Sequence, residues 1–175
     1  MLPMGFFLLL PFFLLRFGLL ARLDRSALRR AAQFAPMYGR ERAAYWVYQI
    51  STGAVILYPL FLPIRTSPLW RFGLGLLVYG AGLVLLAASL LHFARSDGTG
   101  LCREGVYRWS RNPMYVAYFL IFLGCAGITQ SWVLLGIVAV FQLSAHWIIL
   151  AEERACLARF GEPYARYMVQ VRRYF

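Results

Sequence analysis

Five apolar stretches dominate the sequence and restrict the environment in which the chain can fold. Runs of about 18–20 apolar residues are long enough to cross a bilayer as α-helices. The stretches are Leu2–Ala21, Ala44–Ile64, Trp70–Phe93, Met114–Ile128 and Trp132–Leu150. Hydrophobic residues make up 61% of the chain and charged residues 14%, whereas soluble domains carry about 45–50% and about 25%. The sequence therefore predicts an all-α polytopic integral membrane protein with about five spans.

The arginines lie mainly in the gaps between the apolar stretches and predict an orientation. All eighteen basic residues are arginine, and the formal net charge is +11. Six arginines fall in 22–43, four in 94–113 and five in 151–175, whereas the opposing connection 65–71 holds two. Because cytoplasmic connections are the arginine-rich ones, we expect an external N-terminus and a cytoplasmic C-terminus, in a bacterial inner membrane. This distribution also argues against nucleic-acid binding.

The chain divides at residue 93 into two parts of one structural domain. Residues 1–93 hold three predicted spans, and 94–175 hold a helical hairpin followed by a helical extension and a basic, aromatic tail from residue 164. We interpret the first stretch as an uncleaved span, since no basic residue precedes it, with Arg16 reaching from it to the interface. Segment 26–34 is compatible with a short interfacial helix. The three cysteines form no metal-binding pattern, so no metal is expected.

Two polar stretches of the C-terminal half carry the residues suited to chemistry, and we expect them to meet in one site. The first is 105–115, GVYRWSRNPMY, and the second begins at Glu152 and runs to the end of the chain. Arginine binds carboxylates bidentately, glutamate accepts hydrogen bonds from hydroxyl and ammonium groups, and aromatic rings stack on flat rings. These groups suit a zwitterionic, nucleotide-like cofactor. Alternatively, Glu152 and Glu153 pair with Arg108, Arg111 or Arg154.

An ordered set of short motifs in these stretches resembles a known family. Tyr107-x-x-x-Arg111-Asn112-Pro113-x-Tyr115 is followed, after a hairpin, by Glu152-Glu153-x-x-Leu157-x-x-x-Phe160-Gly161-x-x-Tyr164-x-x-Tyr167-x-x-x-Val171-x-Arg173-Tyr174. The set is similar to the isoprenylcysteine carboxyl methyltransferase-like family, which itself resembles membrane phospholipid N-methyltransferases. Asn112 stands where that pattern often has histidine, and asparagine forms hydrogen bonds but does not titrate near neutral pH.

The resemblance implies a membrane methyltransferase that uses S-adenosylmethionine and acts on a lipophilic acceptor, carboxylate or amine, at the cytoplasmic face. The candidate catalytic residues are Asn112, Glu153 and Arg173. The candidate cofactor-binding residues are Tyr107, Arg111, Asn112, Pro113, Tyr115, His146, Glu152, Glu153, Tyr164, Tyr167 and Arg172. In this reading Arg111, Asn112 and Tyr115 help to hold the cofactor, and either acid binds its ribose or amine.

Two of these residue assignments leave alternatives open. Gln142 and His146 share one helix face, and hydrogen bonding between helices explains them as well as ligand contact does. Either Arg172 or Arg173 would bind a carboxylate, belonging to the cofactor or to the acceptor. The whole reading also has two rivals, namely an NADPH-dependent membrane reductase of the sterol-reductase type and a non-catalytic membrane scaffold. The expected partners are membrane lipids and a lipophilic substrate.

Overall fold

The computed structural model describes residues 4–23, 35–39, 41–94 and 101–175. Six helices account for most of these residues, and no strand occurs among them. The helices are α1 (Gly5–Leu23), α2 (Glu41–Leu57), α3 (Leu69–Ala94), α4 (Pro113–Thr129), α5 (Trp132–Phe160) and α6 (Glu162–Gln170). The predicted interfacial segment 26–34 and the connection 95–100 lie outside the described residues.

The lengths of the helices confirm the predicted class, an all-α membrane protein. Helices α1, α3 and α5 are long and apolar enough to cross a membrane. Helix α4 is apolar but has 17 residues, as α2 does, and 17 residues span about 25 Å of an apolar core that is about 30 Å thick. The count of five spans therefore stays a prediction, and so does the division at residue 93.

The helices run alternately up and down, which gathers the polar connections at one end. At the other end, the α4–α5 turn meets the α2–α3 connection, where the Gln130 side-chain amide donates to the Ser67 carbonyl over 2.9 Å. At the polar end, Arg154 on α5 pairs with Glu41 at the start of α2 over 2.7 Å. Both predicted polar stretches lie at this second end. The described parts of the arginine-rich connections thus lie at the opposite end from the 65–71 connection.

Helices α3 and α4 approach closely enough for their backbones to touch. A Cβ atom at Gly75 would lie 2.7 Å from the backbone nitrogen of Ile128, and Gly82 faces Ile121 in the same way. A Cβ at Gly73 would meet no described atom within 4 Å. Glycine at the touching positions lets two helices pack without side chains between them. This seam holds α4 in place beneath the candidate site.

An aromatic core joins α1, α2, α4 and α5 below the polar end. The ring of Phe12 lies 5.5 Å from that of Tyr118 and 5.4 Å from that of Phe122. Phe122 continues the cluster to Phe141 at 5.3 Å, and Phe141 to Tyr48 at 5.2 Å. All five residues are buried. The bundle is therefore filled with side chains below the level of Tyr48 and Tyr118.

One helix ends earlier than the sequence predicted, one ends where it was predicted to end, and one short helix was not predicted. Helix α2 ends at Leu57 and passes into a 3₁₀ turn, Tyr58–Phe61, because Pro59 lacks the amide hydrogen that an α-helix needs. Helix α5 continues unbroken to Phe160, as the predicted helical extension requires, and ends at Gly161, where φ is +59°. The predicted basic, aromatic tail begins inside the short helix α6, whose first turn contains Pro163.

Candidate functional site

The connection before α4 is tied to the end of the chain by backbone and side-chain hydrogen bonds. The Arg111 amide donates to the Arg172 carbonyl over 2.9 Å, and the buried Ser110 hydroxyl donates to the Arg173 carbonyl over 3.2 Å. Pro113 occupies the first turn of α4, where its missing amide hydrogen has no cost. The two polar stretches therefore meet, as the sequence analysis expected.

Glu153 stands at the centre of this meeting point. Its side chain is 4% exposed, and its Oε1 atom accepts a hydrogen bond from Asn112 Nδ2 at 3.2 Å and lies 3.1 Å from Arg111 Nη2 in an ion pair. Its Oε2 atom accepts a hydrogen bond from Arg173 Nε at 3.0 Å and lies 2.9 Å from Arg173 Nη2 in a second ion pair. The hydrogen bond to Glu153 stabilises the charged form of Arg173 and raises the pKa of Arg173. The alternative that the acids pair with arginines is thus correct for Glu153.

Glu152 has different surroundings, although it immediately precedes Glu153 on α5. The Tyr115 hydroxyl donates to its Oε1 atom over 2.8 Å, and Arg16 of α1 lines the same hollow as Glu152. Arg154, a further candidate partner of the acids, forms its ion pair with Glu41 instead. Glu152 is therefore a carboxylate that faces one hydroxyl and one cation across a hollow.

That hollow is a cavity of about 410 Å³ at the polar end of the bundle. Its volume lies within the range of about 300–1,000 Å³ that is typical of small-molecule sites. Nine of the candidate residues line it, namely Tyr107, Arg111, Asn112, Pro113, Tyr115, Glu152, Glu153, Tyr164 and Tyr167. The wall thus combines acidic, basic and aromatic side chains from four parts of the chain.

Helix α6 contributes two tyrosines to the cavity and anchors itself to the central connection. The Tyr167 hydroxyl donates to the Tyr107 carbonyl over 2.6 Å, and the rings of Tyr164 and Tyr167 lie 5.9 Å apart. Burial raises the pKa of Tyr107, Tyr164 and Tyr167 above the ordinary tyrosine value. These phenols therefore stay neutral near pH 7, and the Tyr167 hydroxyl acts as a hydrogen-bond donor.

Three candidate residues lie outside the cavity wall. Arg173 stands behind Glu153 and reaches the cavity through that carboxylate alone. Arg172 is exposed and contributes its carbonyl to Arg111. The His146 Nδ1 atom is 2.9 Å from the Tyr174 hydroxyl, so this histidine contacts the C-terminal segment, whereas the alternative expected a hydrogen bond between helices. The roles of these three residues in binding or catalysis stay predictions.

The cavity wall also includes residues that the sequence analysis did not select. They are Arg16, Ala35, Tyr48, Phe93, Leu101, Cys102, Met114, Tyr118, Ala155, Cys156, Arg159 and Phe160. The sequence does contain a signal for Arg16, because an arginine inside a spanning helix marks a functional site by default. We interpreted Arg16 as an interfacial anchor, whereas the structure places it on the cavity wall, with its Cζ atom 5.9 Å from the centre of the Tyr118 ring.

Metal ligation has no support in the part of the chain that the structure describes. Those residues include no group of three or more histidine, cysteine, aspartate or glutamate side chains arranged to hold a metal ion. Cys102, Cys125 and Cys156 are free thiols. The cavity wall offers carboxylates, guanidinium groups and phenols.

Comparisons with known proteins agree with a membrane enzyme. The sequence pattern of the phospholipid methyltransferase family matches residues 70–162, which cover α3 to α5. The steroid 5-alpha-reductase DET2 of Solanum lycopersicum is 29% identical over 102 residues, 55% of this chain, and the chain covers only 39% of that protein. No solved structure matches the chain significantly. Because the family pattern extends over more than half of its length, this chain belongs to the phospholipid methyltransferase family.

Proposed function

We propose that the chain is an S-adenosylmethionine-dependent methyltransferase that modifies a lipophilic acceptor, carboxylate or amine, at the cytoplasmic face of a bacterial inner membrane. The observation that supports this proposal best is the composition of the cavity wall. Glu152, the Arg111–Glu153 pair and several tyrosines surround a space of about 410 Å³. Membership of the family supports methyl transfer at a membrane.

The residues of the cavity fit the groups of S-adenosylmethionine. A carboxylate such as Glu152 suits an ammonium group or a ribose diol, and neutral tyrosines suit the flat adenine ring and the cationic sulfonium. Arg111 is 7% exposed and already holds Glu153 and the Met168 carbonyl. We therefore assign Arg111 to positioning Glu153 and α6. The sequence had instead predicted that Arg111 binds the cofactor directly.

S-Adenosylmethionine supplies a methyl group on a positively charged sulfur, and this sulfur leaves as a neutral thioether without needing a proton. The protein's task is then to hold the acceptor in line and to exclude water. A carboxylate acceptor needs no base, whereas an ammonium acceptor must first lose a proton. Glu152, which faces the cavity beside the Tyr115 hydroxyl, is placed to accept that proton.

Binding of S-adenosylhomocysteine in nonionic detergent, measured by calorimetry, tests the proposal without knowledge of the acceptor. We expect wild-type protein to bind, and Glu152→Gln to weaken binding by about tenfold or more, because hydrogen bonds to a charged group contribute about 1.5–3 kcal/mol. Glu162→Gln is the matched control, since Glu162 is 73% exposed on α6. Failure of the folded wild-type protein to bind would contradict the proposed cofactor.

A membrane reductase that uses NADPH is the second candidate, because the relative from Solanum lycopersicum is a steroid 5-alpha-reductase. A dinucleotide with three phosphate groups needs several guanidinium groups that can turn to it. Three guanidinium groups line the cavity, those of Arg16, Arg111 and Arg159, and the one of Arg111 is held by Glu153. Titration of the same preparation with NADPH separates the two candidates. The reductase requires NADPH binding, and the methyltransferase predicts that only S-adenosylhomocysteine binds.

A further inference from the structure

The C-terminal segment, residues 171–175, runs along α5 from the level of the cavity toward the membrane interior. The Arg173 guanidinium lies 2.9 Å from the Glu153 carboxylate. The next side chain reaches further along α5, where the Tyr174 hydroxyl lies 2.9 Å from Nδ1 of His146. Because His146 precedes Glu153 by nearly two helical turns, the two contacts are about 10 Å apart along the helix axis. The segment therefore descends beside α5.

The contact with His146 lies below the surface of the apolar core of a bilayer. Helix α5 begins at Trp132, which is exposed, and tryptophan is enriched at membrane interfaces. From that residue about 20 helical residues cross an apolar core that is about 30 Å thick, so the core ends close to Glu152. Trp147, the neighbour of His146, is also exposed and faces lipid at this depth. The C-terminal segment therefore meets the membrane at the polar end of the bundle.

Four exposed side chains cover the outer surface of this region, and we call them the interfacial patch. They are Arg108, Trp109, Arg172 and Phe175, of which Trp109 is 73% and Phe175 58% exposed. The two halves of the patch are tied together by the hydrogen bond of 2.9 Å from the Arg111 amide to the Arg172 carbonyl. Exposed aromatic rings beside arginines are typical of surfaces that lie among lipid headgroups.

The arginines of the patch give this surface a positive charge. Within the described residues, the carboxylates that form ion pairs are those of Glu41, Glu153 and Glu162, and each pairs with an arginine outside the patch. Glu104 is the remaining acid of the central connection, and it is exposed. The patch therefore combines positive charge with aromatic rings, and its charge is complementary to that of anionic phospholipids.

We propose that the interfacial patch binds the headgroups of anionic phospholipids in the surrounding membrane. The inference rests on the fold and not on the proposed function, because it concerns the outer surface of the bundle and not the cavity. The rings of Trp109 and Phe175 enter the interface, where an amphipathic indole is favoured. The guanidinium groups of Arg108 and Arg172 select anionic over zwitterionic headgroups, by about fivefold for each arginine near the surface.

Quenching of tryptophan fluorescence by brominated lipids tests the proposal on the full chain in nanodiscs. All discs contain phosphatidylglycerol and phosphatidylcholine in one fixed ratio, and only one of the two lipids carries bromine, close to the headgroup end of an acyl chain. The contribution of Trp109 is the difference between the wild-type protein and Trp109→Phe. We expect brominated lipid to quench Trp109, with a preference for phosphatidylglycerol of at least about fivefold.

Substitutions of the two arginines show whether their charge causes the preference. Arg108→Gln combined with Arg172→Gln should reduce it to the value for random mixing, and each single substitution should give an intermediate value. The single variants replace the double variant if thermal melting shows that the latter is not folded. Arg108→Lys combined with Arg172→Lys should retain the preference, because a charged surface attracts any cation and needs no planar fork. Arg166→Gln is the control, since Arg166 is 70% exposed and pairs with Glu162 on α6.

Three results would overturn the proposal. If neither brominated lipid quenches Trp109, the patch faces water or a partner protein instead of the membrane. Equal quenching of Trp109 by the two lipids in the wild-type protein would show that the patch does not select anionic headgroups. Loss of the preference in Arg166→Gln as well would attribute it to the net charge of the whole protein and not to Arg108 and Arg172.

Discussion

Glu153 connects three parts of the chain through one side chain. Arg111 and Asn112 reach it from the connection before α4, Arg173 reaches it from the C-terminal segment, and the carboxylate itself belongs to α5. A buried carboxylate is tolerated because all of these donors compensate its charge. Its neighbour Glu152 faces the cavity with far fewer contacts. Two adjacent acids therefore have different expected roles, one in holding the site together and one in binding.

Glu153→Gln should destabilise the protein much more than Glu152→Gln does. The substitution leaves the guanidinium of Arg111, which is 7% exposed, without its anion, and removal of one partner from a buried ion pair costs about 3–5 kcal/mol. Denaturant unfolding in detergent would report the change in the free energy of unfolding. Glu162→Gln is the control, since the Glu162–Arg166 pair is exposed. Equal stability of Glu153→Gln and wild type would contradict the structural role.

Among the helices, α3 and α4 have the most demanding contact. Gly75 touches the backbone of Gly127 and Ile128, and Gly124 touches the backbone of Tyr79 in return. The Tyr79 hydroxyl also donates to the Leu8 carbonyl over 2.6 Å, which connects α1 to the same seam. The seam therefore sets the position of α4, and with it the positions of Pro113 and Tyr115 at the cavity.

Gly75→Ala should destabilise the protein, and Gly73→Ala should not. The new Cβ at residue 75 would lie 2.7 Å from a backbone nitrogen, and overpacking of this kind costs about 1–3 kcal/mol. At residue 73 of the same helix the Cβ has open space, so alanine there is neutral or stabilising. Thermal melting of both variants in one detergent measures the difference. Equal melting temperatures would show that α3 and α4 can separate without cost.

At the scale of the whole molecule, all candidate residues with a charge lie at one end of the bundle. The Arg154–Glu41 pair, the Arg111–Glu153 pair and the cavity occupy this end. Gln130 and the connection that holds Arg65 occupy the opposite end, joined by a hydrogen bond of 3.3 Å. The distribution of positive charge therefore distinguishes the two faces of the molecule, and the proposed orientation follows from it.

Reporter fusions test this orientation directly. Fusions after residues 104 and 175 should be active with a cytoplasmic reporter, and a fusion after residue 67 should be active with an external reporter, because arginine-rich connections remain in the cytoplasm. Fusions after residues 104 and 175 serve as internal controls for each other, since both flank the cavity. An external signal from residue 175 would refute the proposed access of a cytoplasmic cofactor.

The sequence by itself determined the membrane environment, the fold class and nine of the twenty-one residues that line the cavity. Apolar runs of this length are unstable when they are exposed to water, so they indicate a bilayer. In a bilayer, runs this long satisfy their backbone hydrogen bonds as α-helices. The motif from Tyr107 to Tyr115 and the tandem Glu152-Glu153 were both visible as polar residues next to apolar runs. Their order along the chain was sufficient for the family resemblance, which the family comparison then confirmed.

Only the tertiary structure decided which side chains face each other. Glu152 and Glu153 are adjacent in sequence, but successive helix positions point in different directions, so one carboxylate meets Arg111 and Arg173 while the other meets Tyr115. Arg16 is far from both in sequence, and its place at the cavity depends on how α1 packs beside α3 and α4. Such contacts arise from the packing of whole helices, and no local pattern of residues encodes them.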